Sequence, residues 1–182
     1  MGQYEQALAD FDRAIALDEK NAWAIASRGE TYRLMGQSEQ ALADFDRAIA
    51  LDEENAGAIA RRGETYRQMG KHEQALADYD RAIALGEKYA WAIARRAAIY
   101  QMLGNLEAAQ TDIGRVMTIP IEDASDLYGR TIAFLLSGKL DEALAMLKRA
   151  FERDDSTRIY AQTDDLLDPL RGLPEFQALM NA

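Results

Sequence analysis

Apolar residues recur along most of this chain at the three- and four-residue spacing of amphipathic helices. Near its start, Ala7, Phe11, Ala14 and Ile15 share one helical face, and mostly polar residues occupy the positions between them. Short turns that contain glycine interrupt the pattern at regular intervals. The pattern therefore predicts a succession of short helices, joined in antiparallel pairs by tight turns.

The helical pattern repeats with a period of about 34 residues. Residues 22–55 return almost unchanged as residues 56–89, and again with more substitutions as residues 90–123. Such a period indicates an array of stacked helical units. In an array of this kind, each unit is stabilised by contacts with its neighbours and not by one central core.

Small and aromatic residues recur at matched positions in each copy. A Gly-x-x-Tyr motif lies near the start, a turn glycine follows, and an Ala-x-x-x-aromatic-x-x-Ala motif lies in the second helix. We expect the small residues to let neighbouring helices approach closely, while the aromatic rings fill the space between them. In the first two copies these positions are Gly29, Tyr32, Gly36, Ala41, Phe45 and Ala48, then Gly63, Tyr66, Gly70, Ala75, Tyr79 and Ala82, and the third turn glycine is Gly104.

These motifs strongly resemble those of the tetratricopeptide repeat family, and the resemblance covers nearly the whole chain. It implies an all-α fold, a right-handed α-solenoid of antiparallel helix pairs with a C-terminal capping helix. Because the first pair lacks its first helix, we expect the chain to be cut from a longer array. The predicted domains are a half repeat at 1–21, repeats at 22–55, 56–89, 90–123 and 124–157, of which the last is degenerate, and a cap at 158–182.

Some residues depart from the family pattern and raise a question about local packing. Arg28 and Arg62 stand where the family usually has an apolar residue. Ala97 and Thr131 replace the first-helix glycine in the third and fourth copies. In the cap, we expect a short helix over 164–171 and a last helix from Pro174. The apolar residues Leu170, Phe176 and Leu179 should seal the end of the array.

The first helices of the first two full copies differ at three positions. These are Trp23 and Gly57, Ser27 and Arg61, and Leu34 and Gln68. Their spacing places them on one helical stripe, which in the family lines the concave groove where ligands bind. Either the copies diversified where a ligand touches them, or exposed positions drifted after duplication. Glu30, Arg33, Glu64 and Arg67 are identical between the copies although we expect them to be exposed too, which argues against drift alone.

Aromatic and cationic side chains on this stripe suggest a peptide-binding groove. Trp23 and Trp91 could wall a notch above Gly57 for a bulky apolar side chain, or each indole could pack on the preceding unit. The arginines could bind ligand carboxylates, or they could pair internally with glutamates at i, i+3 spacing. The predicted groove residues are Trp23, Ser27, Glu30, Arg33, Gly57, Arg61, Glu64, Arg67, Trp91, Arg95 and Gln101.

One well-known subclass of the family clamps the C-terminal carboxylate of chaperone peptides with Lys and Asn on the inner face of its first helices. The matching positions here hold Ala26, Ala60 and Ala94, followed by Glu30, Glu64 and Ala98. The resemblance therefore does not extend to that subclass.

The composition argues against several classes of partner and of catalytic or metal site. A net charge of −10 and a pI near 4.6 argue against nucleic acid or an anionic membrane as partner, and no stretch has the length and apolarity of a membrane span. We expect a soluble, cytoplasmic chain. Without cysteine, and with His72 as its single histidine, the sequence predicts no metal site, no cofactor and no catalytic residues. The carboxylate pairs Asp44/Asp46 and Asp78/Asp80 recur with the repeat and are interpreted as scaffold.

The sequence therefore favours a non-catalytic interaction scaffold that holds a segment of a partner protein or peptide in the groove. The alternative is a structural or self-assembly fragment of a longer array, from a multidomain signalling protein of a kind common in bacteria. In that case, unpartnered apolar surface around Tyr4, Leu8 and Phe11 would form a homodimer through the N-terminal half repeat.

Overall fold

The computed structural model describes residues 2–86 and 89–181, and every regular element in these residues is a helix. The helices pack in adjacent pairs along the chain, which confirms the predicted all-α fold class. They fall into two compact units, residues 1–87 and 88–182. Within the described residues, no helix has the length and apolarity needed to cross a membrane.

The first unit contains α1, then the pairs α2–α3 and α4–α5. Asparagine caps begin the first helix of each pair: the Asn21 and Asn55 side chains accept hydrogen bonds from the backbone N–H groups of Ala24 and Ala58, at 3.0 and 2.9 Å. The helices are α1 (Gly2–Leu17), α2 (Ala22–Leu34), α3 (Ser38–Leu51), α4 (Ala56–Gln68) and α5 (His72–Leu85).

The turns inside each pair depend on glycine in the left-handed region. Gly36 and Gly70 have φ angles of 73° and 72°, which residues with a side chain adopt at a steric cost. Gly104 and Gly138, at 77° and 72°, do the same in the second unit. The predicted turn glycines are therefore confirmed, and Gly138 adds a fourth that lies one period further on.

Close packing inside the first pair follows the predicted small-residue pattern. A Cβ atom at Gly29 would lie 3.1 Å from the Asp44 Cβ and 3.2 Å from the Phe45 Cε1. Ala41, Phe45 and Ala48 are fully buried against this face. The glycine therefore sets how closely α3 can approach α2.

The arginines that depart from the family pattern are held by aspartates of the second helices. Arg28 donates from Nε and Nη2 to both carboxylate oxygens of Asp44, at 2.7 Å each, and from Nη1 to Asp12 at 2.7 Å. Arg62 binds Asp78 and Asp46 in the same way, one period later. The hydrogen bonds that the two guanidinium groups donate to these carboxylates raise the pKa of both guanidinium groups above the ordinary value. The recurring aspartates are therefore parts of the scaffold, and the arginines disturb no packing.

The second unit contains two further pairs and the C-terminal segment, which we define as residues 157–181. In the first helices of these two pairs, Ala97 and Thr131 are fully buried where the earlier copies have glycine, so the packing accommodates these small residues. The helices are α6 (Ala90–Met102), α7 (Leu106–Thr118), α8 (Ala124–Leu136), α9 (Leu140–Arg153), α10 (Thr157–Thr163), α11 (Asp168–Arg171) and α12 (Pro174–Asn181), with a 3-10 turn at Asp165–Leu167.

Helix α8 lies directly against the start of α6. A Cβ atom at Gly129 would lie 2.8 Å from the backbone carbonyl carbon of Ala90 and 2.9 Å from the Trp91 nitrogen. Gly129 occupies the repeat position of Arg61 and Arg95. The loss of a side chain at this position therefore allows the close contact between the two helices.

The C-terminal segment packs on α9 through α10, α11 and α12. Leu170 and Phe176 are buried as predicted, whereas Leu179 is only half-buried. The last helix begins at Pro174, and the short helix expected over 164–171 is divided between the 3-10 turn and α11. Helix α10 was not predicted, because its sequence follows the end of the repeat pattern.

Candidate functional site

The variable stripe of the first unit forms one partly accessible surface, which we call the α2–α4 face. Trp23 is 70 % exposed, Gln68 is exposed, and the other four residues are half-buried. The three positions at which α2 and α4 differ are therefore positions that solvent reaches. The face comprises Trp23, Ser27 and Leu34 on α2, and Gly57, Arg61 and Gln68 on α4.

Trp23 packs on the preceding helix with one edge of its indole and remains largely exposed. Its indole meets the ring of Phe11 edge-on, with centroids 5.9 Å apart and an interplanar angle of 76°. The remaining indole surface is exposed. Contact with the preceding helix therefore holds the ring in place without covering it, and a held aromatic ring loses little conformational entropy when a ligand packs on it.

Gly57 leaves open space at the equivalent position on α4. A Cβ atom there would have only the Asn55 Oδ1 within 4 Å, at 3.4 Å. Trp23 and Gly57 belong to the same unit, whereas Trp91 belongs to the second unit. The notch with two indole walls stays a prediction.

The glutamate and arginine positions that are identical in the two copies are buried, so the expectation that they are exposed was wrong. Glu30 and Glu64 are 7 % and 2 % exposed, and Arg33 and Arg67 are 9 % and 8 % exposed. Each arginine binds both carboxylate oxygens of the glutamate three residues before it, at 2.8 Å in the first pair and 2.9 Å in the second. Burial is tolerated because the bidentate pairs neutralise the charges.

Further hydrogen bonds join these pairs to their surroundings. Tyr79 donates to Glu64 Oε2 at 2.7 Å, and Arg33 donates to Gln68 Oε1 at 3.3 Å, from α2 to α4. The identity of the pairs in both copies is thus explained by internal packing. It no longer argues against drift at the three variable positions.

The pKa of the Glu30 carboxyl is lowered in spite of its burial. Burial would raise the pKa of Glu30, but the nearby charges of Arg33 and Arg61 and the hydrogen bonds from Arg33 lower it below the ordinary value. Arg61, on the α2–α4 face, is half-buried, and its charge acts on the Glu30 carboxyl.

The predicted groove residues of the second unit have a different environment. Trp91 is half-buried, lies 6.1 Å from the Tyr89 ring, and has the Arg95 guanidinium 5.1 Å from its ring centroid. Arg95 itself is 3 % exposed and forms a salt bridge with Asp164. Gln101 is exposed and donates to the Leu136 carbonyl at 3.4 Å.

Asp164 and Tyr128 complete this environment in the second unit, and neither is among the groove residues predicted from the sequence. Tyr128 donates from its hydroxyl to Asp164 Oδ2 at 2.8 Å. One signal was present: Tyr128 continues the series Ala26, Ala60, Ala94 with a residue that can donate a hydrogen bond. Asp164 lies outside the repeat, and no spacing rule connects it with Arg95.

The described residues offer no group of three or more His, Asp or Glu side chains that could hold a metal ion. His72, at the start of α5, is half-buried. The accessible chemistry of the α2–α4 face is therefore that of an aromatic ring, a guanidinium group and polar amide and hydroxyl groups.

Comparison with known proteins places these features in a family. The family model described as TPR repeat matches residues 1–36 and 63–104, and the one described as Tetratricopeptide repeat matches residues 24–55. Together the two models span more than half of the chain. No curated protein matches the sequence.

Solved structures of several repeat proteins are similar to this chain. TTC0263, a thermophilic TPR protein in Thermus thermophilus, is 24% identical with a TM-score of 0.65, over 91% of each chain. The second TPR of Spaghetti (RPAP3), bound to the HSP90 peptide SRMEEVD, is 33% identical with a TM-score of 0.53, over 58% of this chain and 98% of that one. YrrB, a TPR protein with an unusual peptide-binding site, is 22% identical with a TM-score of 0.56, over 88% and 83%.

Proposed function

We propose, from the premise that the chain belongs to the tetratricopeptide repeat family, that it is a non-catalytic scaffold that binds a segment of a partner protein on the α2–α4 face. The observation that carries this proposal is the indole of Trp23, which is held by Phe11 and yet is 70 % exposed. Tryptophan is highly buried on average in soluble proteins, and it is among the residue types that are enriched where binding energy is concentrated.

The similar structures support binding of a peptide as the mode of action. The second TPR of Spaghetti holds an HSP90 peptide, and YrrB has a peptide-binding site. The ligand itself need not be the same, because the inner positions of this chain carry Ala26 and Ala60, and the glutamates that follow them are neutralised by buried arginines.

The face suggests the chemistry of the segment that it binds. An apolar side chain of the partner would pack on Trp23 and enter the space left by Gly57. The guanidinium group of Arg61 lies on the same face, and its charge disfavours a partner segment with basic residues at this position. We also propose a cytoplasmic location. A partner that is a nucleic acid or an anionic membrane is disfavoured by the net charge of −10.

The test is an affinity capture from native lysate with two variants that change the face in opposite ways. Trp23→Ala removes the ring, and Gly57→Trp fills the space. The second substitution should be tolerated, because Gly57 has open space around it and tryptophan stands at the same repeat position in Trp23 and Trp91. Each variant should reduce recovery of the partner by about tenfold or more.

Leu106→Ala is the matched control, because Leu106 is also a large exposed apolar residue, at 62 %, but lies on α7. It should capture the partner as the wild type does, and circular dichroism should give the same helix content for all three variants. The captured partner's segment is then titrated as a purified peptide. Equal recovery by the wild type and both face variants would disprove the proposal.

A second candidate function, self-assembly through the N-terminal half repeat, is favoured by the surface of α1. Leu17 is 84 % exposed, and Tyr4, Leu8 and Phe11 are half-buried. If α1 pairs with a second copy, light scattering should show a dimer at high concentration, and Leu8→Lys should convert it to a monomer. A wild-type chain that stays monomeric at high concentration would exclude this candidate.

A further inference from the structure

A complete binding site for one carboxylate lies inside the second unit. Arg95 donates from Nη1 to Asp164 Oδ1 at 2.8 Å and from Nη2 to Oδ2, Tyr128 donates to Oδ2 at 2.8 Å, and the Leu166 backbone N–H donates to Oδ1 at 3.0 Å. The side chains of Arg95 and Asp164 are both 3 % exposed. Charge-assisted bidentate bonds of this kind are both strong and directional.

The two side-chain donors of the site and the carboxylate that fills it belong to different parts of the chain, whereas the Leu166 N–H belongs to the same segment as the carboxylate. Arg95 and Tyr128 are on α6 and α8, the first helices of their pairs, whereas Asp164 lies in the C-terminal segment, in an extended residue between α10 and the 3-10 turn. Arginine also occupies the same repeat position one period earlier, at Arg61. Arg95 is therefore part of the repeat pattern, and its carboxylate comes from outside the repeats.

Two leucines dock beside the carboxylate. Leu167 and Leu170, at the third and sixth positions after Asp164, are both fully buried. The segment thus presents an acidic side chain followed by two apolar anchors, which is an arrangement that a short peptide of another protein can also present.

We infer that Arg95 and Tyr128 form a binding site for an acidic side chain, that Asp164 fills it in cis, and that a partner segment with an aspartate followed by leucines at the third and sixth positions competes for it. This site lies in the second unit and is independent of the α2–α4 face. A segment that covers Arg95 without supplying a carboxylate would bury an unpaired guanidinium group, which is strongly disfavoured, so the site favours an acidic segment once the C-terminal segment is released.

The segment has the features of a locally opening element. Its three α-helices have seven, four and eight residues, so none is stable without packing against the rest of the unit. Its outer ion pairs, Arg158 with Asp155 and Arg171 with Asp168, involve aspartates that are 80 % and 65 % exposed, and they contribute little. Segments of this kind open at a lower free-energy cost than the core.

The test uses the full chain with the cis carboxylate reversed in charge. Asp164→Lys places an ammonium group against Arg95 in a buried site and should release the segment. Asp165→Lys is the matched control, because it makes the same charge change at the next residue, whose side chain is exposed. The probe is a fluorescein-labelled synthetic peptide with the sequence of residues 157–181, and a second probe carries Asp164→Asn.

The first probe should bind the Asp164→Lys chain about 100-fold more tightly than it binds the wild type or the Asp165→Lys chain. The asparagine probe should bind the Asp164→Lys chain about tenfold more weakly than the first probe. Equal binding of the two probes would overturn the inference, because the carboxylate would then contribute nothing. A helical Asp164→Lys chain that binds neither probe would overturn it too.

Hydrogen exchange of α6 and α8 decides whether the segment can be displaced. We expect the amides of both helices to stay protected in the Asp164→Lys chain and in the milder Asp164→Asn chain. If both variants lose this protection, the segment is an integral part of the core, and the inference is overturned. If light scattering shows a mixed dimer of the Asp164→Lys and wild-type chains, the site binds a second copy of this chain and not a partner segment, and the inference is overturned. Affinity capture of the partner that binds the α2–α4 face, which depends on Trp23, should be unchanged in all of these chains. A failure of this inference can therefore be distinguished from a failure of the proposed function.

Discussion

Each buried charged side chain in the described residues meets an opposite charge. Glu30 and Glu64 are bound by arginines on their own helices, and Asp44 is bound by Arg28 from the neighbouring helix. Such pairs stabilise little compared with apolar packing, but the loss of one member leaves a buried charge and is costly. At the scale of single residues, these pairs are therefore positions at which removal of one partner is costly.

Glu30→Gln should lower the free energy of unfolding by about 3 kcal/mol near neutral pH, because the Arg33 charge is then buried without its carboxylate. Burial and the charge of Glu64 would raise the pKa of Glu30, but the charges of Arg33 and Arg61 lower it below the ordinary value. The stability therefore depends on pH through this lowered pKa. The carboxylate contributes its full stability above its unfolded-state pKa of about 4.3 and loses it as pH falls through the folded-state pKa.

Urea unfolding of the wild type and Glu30→Gln at a series of pH values measures this effect. The difference in unfolding free energy should be constant from neutral pH down to about pH 5 and should shrink below about pH 4. Gln68→Ala serves as the control, because it removes an exposed hydrogen-bond partner of Arg33 and no charge. A Glu30→Gln difference that does not change with pH would contradict the assigned pKa shift.

At the scale of elements, the approach of α8 to α6 is set by Gly129. Gly129→Ala should destabilise the chain by about 1–3 kcal/mol, because its Cβ would lie 2.8 Å from backbone that cannot move freely. Gly114→Ala on α7 is the same substitution with no atom within 4 Å, so helix propensity alone should stabilise it by about 0.5–1 kcal/mol. Thermal and urea unfolding give both values, and a loss of stability in both variants would show that the close contact is not the cause.

The helix pairs could be predicted because short-range rules determine them. Gly36 and Gly70 mark turns that need a positive φ angle, and Gly29 marks a close approach between helices, so each has a local signature that the period then repeats. Helix α10 has no such signature. It forms because Ala161 and Thr157 pack against the preceding pair, and this packing is a tertiary effect.

The candidate sites could be predicted only in part. The stripe of Trp23 and Gly57 followed from helical spacing and from differences between the copies. The spacing of Glu30 and Arg33 is the same for an exposed pair as for a buried one, and only the surrounding residues show which it is. The pair of Arg95 and Asp164 joins residues 69 positions apart, one of them outside the repeat, so no sequence pattern predicts it.

At the scale of the whole molecule, the two compact units imply stability that is not uniform along the chain. Repeat proteins have energies that are close to a sum of local terms and neighbour contacts, so a local defect should open its own surroundings first. Gly129→Ala should therefore accelerate amide hydrogen exchange in α6 and α8 by about tenfold or more, with a smaller change in α2 and α4. Gly29→Ala, whose Cβ would crowd Asp44 and Phe45, should produce the reverse distribution. Mass spectrometry of peptides from the four helices measures both variants, and equal acceleration in both units would show that the chain opens as one cooperative block.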